Sequence, residues 1–197
     1  PFCRKKCPYC DFYSITDLDK IFAFVRSAQM EILMIDAPAQ TVDSVYFGGG
    51  TPSVLDAEDI CALMASIRQK FKVSHDLEAT IEVNPGTITC DKLTEYRRAG
   101  VNRINIGIQS FQDPFLKFLG RIHTAREALN GFDMARQAGF ENIGIDLIYG
   151  IPGQTARMWK NDLEAAINLA PEHISCYLLT YEPGAPMTLA LEAGSIH

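Results

Sequence analysis

Between Arg103 and Gln109 three isoleucines, Ile104, Ile106 and Ile108, alternate with Asn105, Gly107 and Gln109, so a strand there has one apolar face and one polar or bare face. Ile81 and Val83 alternate in the same way with Thr80, Glu82 and Asn84, and Asp146 interrupts an apolar run between Ile145 and Leu147. Short β-like runs at Ser44–Phe47, Ala79–Asn84, Arg103–Ile108, Asn142–Ile148 and His173–Leu178 take turns with helical patterns near Asp19–Ile35, Asp56–Phe71, Cys90–Ala99, Thr124–Ala138 and Thr155–Leu169. That order predicts an α/β fold of parallel strands with helical crossovers. Parallel strands covered on both faces read as nearly continuous apolar runs, and these do not. The polar faces must look into something wet or filled by a ligand. A curved sheet or partial barrel, helices outside and a polar cavity inside, meets that demand better than a flat doubly wound sheet.

Composition sets the class. A chain of 197 residues, 47% hydrophobic and 21% charged, can bury one sizeable core. A formal charge of −6 argues against a nucleic-acid partner. No stretch reaches the length of a transmembrane helix and no secretory signal is evident, so a cytoplasmic location is expected. The chain starts at Pro1 without a methionine, and a piece of a longer protein is expected.

Cys3, Cys7 and Cys10 place three thiols within eight residues with no matching fourth. A 4Fe–4S cluster normally takes four thiolates, and three leave one iron open to another ligand. A structural zinc site would show two Cys or Cys/His pairs, whereas the nearest histidine is the distant His75. An odd local triplet cannot pair internally as disulfides. Cys61, Cys90 and Cys176 are scattered and read as small buried hydrophobes. The basic run Arg4, Lys5 and Lys6 inside the cysteine loop is either solvated charge or a landing patch for an acidic electron donor or for substrate carboxylates.

The three-then-two spacing of the cysteines resembles the cluster motif of the radical S-adenosylmethionine (radical SAM) enzymes. Gly48-Gly49-Gly50-Thr51-Pro52-Ser53, Glu82–Gly86 and Tyr149–Gln154 narrow the resemblance to the oxygen-independent coproporphyrinogen III oxidase group and, within it, to its heme-chaperone branch. It extends over essentially the whole chain. The implied fold is a radical SAM partial (β/α)6 barrel, with residues 1–197 forming a core domain whose first strand and C-terminal region are absent from this chain. The implied cofactors are a 4Fe–4S cluster on Cys3, Cys7 and Cys10, and SAM, chelated to the open iron and cleaved to a 5′-deoxyadenosyl radical.

The resemblance also suggests roles for single residues. Gly49, Gly50 and Thr51 match the loop at the methionyl amino group, and Glu82 the carboxylate near it; Glu82 paired to a core arginine is the plain alternative. Gln109 and Asp146 match ribose ligands, against the alternative of a buried water. Arg121 matches the arginine that binds the methionine carboxylate, against an ordinary arginine at a helix end. His123 and His173 have no assigned role, no catalytic residue is identified, and a lone histidine is more often structural. Phe12 stands beside the SAM site where the oxidases carry a further cysteine, which favours a heme chaperone that binds heme as cargo and passes it to apoproteins. A reduced flavodoxin or ferredoxin-type donor is the implied electron source. The rivals are a true coproporphyrinogen III oxidase and, in another class, a zinc-stabilised binding module.

Overall fold

The computed structural model describes residues 1–36 and 41–196. Its centre is a sheet of five strands, β1 (Thr41–Phe47), β2 (Lys72–Val83), β3 (Arg103–Gln109), β4 (Asn142–Tyr149) and β5 (His173–Leu178). All neighbours are parallel and the spatial order is the chain order, β1-β2-β3-β4-β5. The sheet curls into a half-barrel with helices around it, as the one-sided strands require.

The convex face is the core. Ile81, Ile104, Ile106, Ile108, Ile143, Ile145 and Leu147 are fully buried there, each contributing roughly 1.5–3 kcal/mol by leaving water. They pack under α2 (Ala57–Lys70), α3 (Cys90–Ala99), α5 (Ala125–Gln137) and α6 (Ala156–Asn168) through Ile60, Met64, Leu93, Tyr96, Phe132 and Ala166. α1 (Ile21–Met34) lies against α2. Local chemistry starts these helices where the sequence signals them: Thr124 and Glu127 close a capping box at α5, with Thr124 N–H donating to Glu127 Oε2 at 2.7 Å.

Two elements go beyond the sequence pattern. β2 starts at Lys72, well before Ala79, because Lys72 and Val73 pair with Thr41 and Val42, ahead of a register shift that leaves residues 74–77 of β2 without partners on β1. α4 (Asp113–Phe118) and α7 (Pro186–Glu192) are too short for a periodic signal, and each has a proline in its first turn. α4 matters because it delivers Arg121 back to the sheet. The loops at the C-terminal ends of the strands, with the cysteine loop beside them, form one rim, the edge at which such folds gather their chemistry.

Candidate functional site

The cysteine loop is tied at its base. Cys3 N–H donates to Ile15 O at 2.9 Å, Ile15 N–H to Pro1 O at 2.8 Å, and Thr51 N–H to Phe2 O at 2.7 Å. The last bond seats the glycine loop after β1 on the start of the cysteine loop. Gly50 has to be glycine here, since a Cβ would lie 2.8 Å from Phe2 O. Cys3 Sγ is consequently 3.3 Å from Thr51 Oγ1. Cys10 N–H closes a turn on Cys7 O at 3.1 Å, and burial pushes the Cys10 thiol up, with Phe12 N–H opposing. Among the described residues no three Cys, His, Asp or Glu side chains converge tightly enough to hold a single metal ion.

Glu82 stands beneath the glycine loop and is not paired to an arginine. Its carboxylate accepts from Tyr46 O–H at 2.8 Å and from Gly49 N–H at 3.1 Å. Tyr46, on β1, was not singled out in the sequence. Its signal is its place in the same alternation, between Val45 and Phe47, and burial followed by Glu82 pushes its phenol up.

A second group surrounds Gly107. A Cβ there would meet Gln109 Nε2 at 3.0 Å and Arg121 Nη2 at 3.4 Å, so both side chains fold over a bare spot on the concave face. Arg121 donates through Nη2 to Gly107 O at 2.7 Å, and its Nη1 lies 3.7 Å from Cys7 Sγ. Gly107 is in register with Asp146 on β4, and Asp146 accepts from Asn105 Nδ2 at 2.6 Å. Burial raises the Asp146 carboxyl, against the hydrogen bond from Asn105. Five buried side-chain polar atoms among the described residues have no partner, and three of them are Gln109 Oε1, Arg121 Nε and Asp146 Oδ1. Two free acceptors and one free charged donor side by side suit a ligand that carries hydroxyls at one end and a carboxylate at the other. None of the ion pairs among the described residues involves Arg121, which leaves its charge unpaired and its Nε free to donate to a ligand.

Cys3, Cys7, Gly49, Gly50, Thr51, Glu82, Gln109, Arg121 and Asp146 thus occupy one rim. Phe12 is 70% exposed, with its backbone N–H at the Cys10 thiol. Tyr9, unmarked in the sequence, joins the rim. It packs with Phe115, Leu119 and Met187 in a second small core beside the Arg121 charge, its phenol raised by burial.

His123 is a structural residue. Buried, it donates through Nε2 to Ile108 O at 3.1 Å, and its Nδ1 lies 3.1 Å from the Asn84 side-chain amide. His173 is exposed on the concave side, 3.1 Å from Ser175 Oγ. Of the scattered cysteines, Cys61 and Cys90 are half-buried, but Cys176 is exposed, because it lies on the sheet-edge strand β5. No described helix is long and apolar enough to cross a membrane.

Residues 1–166 match the radical SAM superfamily. The chain is 40% identical over 191 residues to heme chaperone HemW of Haemophilus influenzae, a match covering 93% of this chain and 50% of that protein. With heme chaperone HemW of Bacillus subtilis it shares 36% identity over 204 residues, covering 100% of this chain and 53% of the relative. Among solved structures, coproporphyrinogen III oxidase (HemN) from Escherichia coli, described as a radical SAM enzyme, superposes with a TM-score of 0.85 at 29% identity, covering 100% of this chain and 45% of its own. The chain spans about half the length of the curated relatives it matches.

Proposed function

Since this chain belongs to the radical SAM superfamily, whose members imply a 4Fe–4S cluster and SAM, we propose that it is the core of a heme chaperone that holds both cofactors on the rim described above. Cys3, Cys7 and Cys10 would bind the cluster. Arg121 would take the methionine carboxylate, Glu82 and the Gly49–Thr51 loop its amino group, and Gln109 and Asp146 the ribose hydroxyls. The bound pair supplies one-electron reduction of a sulfonium C–S bond. This chain's own residues bind, orient and screen. Arg121, reaching both Cys7 Sγ and Gly107 O, ties the cluster loop to the floor of the ligand site, and Tyr9 shields that junction from water.

The observation that carries the reading is the set of unpartnered buried atoms on Gln109, Arg121 and Asp146, whose donor and acceptor types match the polar groups of SAM. Arg4, Lys5 and Lys6 are exposed beside the cysteines and would receive an acidic flavodoxin or ferredoxin-type donor. Heme delivery to apoproteins follows the relatives named heme chaperone, which match 93% or more of this chain. A cytoplasmic site of action is supported by six free cysteines, the pattern of a reducing compartment.

The deciding experiment uses the full-length parent protein, made and kept anaerobic. A heme titration is run beside an assay with SAM, a reductant and coproporphyrinogen III. Heme binding without turnover is the expected result. Robust multiple-turnover decarboxylation would move the protein to the oxidases, and failure to bind heme would remove the chaperone reading.

A further inference from the structure

Gln109 is held in a conformation that its own chemistry does not favour. Its φ is 72°, in the left-handed region that costs a side-chain-bearing residue about 1–2 kcal/mol. It also ends an irregular stretch of β3. Gly107 is in register with Asp146 and Gln109 with Leu147, so Ile108 is an extra residue without a partner on β4. Bulges of this kind re-aim a side chain. Here the bulge leaves Gln109 Oε1 buried and unpartnered, with Nε2 over Gly107. Strain of this sort persists only where the surroundings over-determine it.

The restraint comes from α6. Asp162 is 1% exposed, and its carboxylate faces no cation among the ion pairs of the described residues. It accepts instead from Ser110 Oγ at 2.8 Å, from Phe111 N–H at 3.0 Å and from Gln112 Nε2 at 3.0 Å. All three donors are on the residues that directly follow Gln109. Gln112 N–H also donates to Ser110 Oγ at 3.1 Å, and Gln112 Nε2 to Met158 O at 3.0 Å, so the turn is fastened twice to the same helix. A buried carboxylate is costly unless fully hydrogen-bonded, and this one spends its acceptors on a single three-residue turn.

We infer that Asp162 is a positioning residue for the ribose end of the SAM site: by clamping residues 110–112 to α6 it keeps Gln109 left-handed and its amide turned over Gly107. The inference rests on the proposed role of Gln109 and adds to it a residue that touches no ligand.

The test is a double-mutant cycle on the full-length, cluster-loaded protein, reading SAM affinity and thermal unfolding for Gln109→Ala, Asp162→Ala and the pair. Gln109→Ala is expected to weaken SAM about three- to thirtyfold. Asp162→Ala should weaken it similarly, and the double variant no more than the worse single. Asp162→Asn, whose amide oxygen still accepts from Phe111 N–H and Gln112, should restore most of the affinity. A folded Asp162→Ala protein with wild-type affinity, or losses that multiply in the double variant, overturns the inference and leaves the role of Gln109 standing. A Gln109→Ala protein with wild-type affinity overturns both. If Asp162→Ala does not fold, Ser110→Ala takes its place in the cycle, and the same two outcomes decide.

Discussion

Asn105 Nδ2 donates to Asp146 Oδ2 across 2.6 Å, and this one bond decides which oxygen of the carboxylate is left for a ligand. Oδ1 stays buried without a partner. The bond exists because Gly144, in register with Asn105 on β4, has no side chain: a Cβ there would collide with Asn105 Oδ1. Three positions on two strands therefore set the aim of a single oxygen.

Asn105→Ala is accordingly expected to weaken SAM binding by roughly 1.5–3 kcal/mol, the scale of a hydrogen bond to a charged group, although Asn105 itself would not touch the ligand. Gly144→Ala should do the same by displacing Asn105. Isothermal titration of the cluster-loaded full-length protein checks both. Equal affinity in folded variants would mean that the orientation of Asp146 does not matter to the site.

Asp146 also makes a statement about stability. Burial raises its carboxyl above the ordinary value of 3.8, so in the window between that value and the raised one the folded chain holds more proton than the unfolded chain. Stability falls as pH rises through that window. Asp146→Asn removes the cost and keeps an acceptor for Asn105. The ligand-free variant is expected to melt higher at neutral pH, about 2–4 °C for each kcal/mol recovered, while losing SAM affinity. A lower melting temperature with unchanged SAM affinity would contradict both roles.

Cluster loading should depend on Cys3, Cys7 and Cys10 and on no other cysteine. The three share a loop tied at Phe2 and Ile15, whereas Cys61 lies on α2 and Cys176 on β5. Alanine at any of the first three is expected to abolish stable iron and sulfide after anaerobic reconstitution. Cys61→Ala and Cys176→Ala should load as the parent does. Stoichiometric zinc without iron would instead favour the zinc-stabilised module.

How much of this was legible in the sequence follows from which signals are periodic and which are relational. The alternation of Ile104, Ile106 and Ile108 announces the convex core and, by exclusion, the concave face on which Asn105, Gly107, Gln109 and Asp146 lie. The cysteine spacing and the glycine loop mark the rim. Partnerships are harder, because they join residues far apart in the chain: Asp162 is 51 residues from Phe111, and Tyr46 is 36 from Glu82. Phe12 shows the opposite limit. Its position in the motif is readable, but its exposure depends on the fold of the loop, which the motif does not specify.

His123 provides a pH signature that separates structure from ligand chemistry. Burial, helped by the charge of Arg121, lowers its pKa from the usual 6.5 to about 4, while the Ile108 carbonyl, Glu127 and Asp113 oppose the shift. The folded chain then binds less proton than the unfolded chain between those two values. Its stabilising effect is complete above about 6.5 and is lost as pH falls toward 4. The depression corresponds to about 3 kcal/mol at most. Denaturant titrations between pH 7 and pH 4 should show that loss in the parent protein. His123→Gln, which carries no titratable group, should flatten it at the expense of some stability at pH 7. Because Ile108 O and Asn84 belong to the strand ends beside Gln109 and Glu82, the parent should also bind SAM more weakly as it approaches pH 4. A pH profile of stability identical in the parent and in His123→Gln would show that the pKa of this histidine does not change on folding, and would overturn its assignment as a buried neutral imidazole.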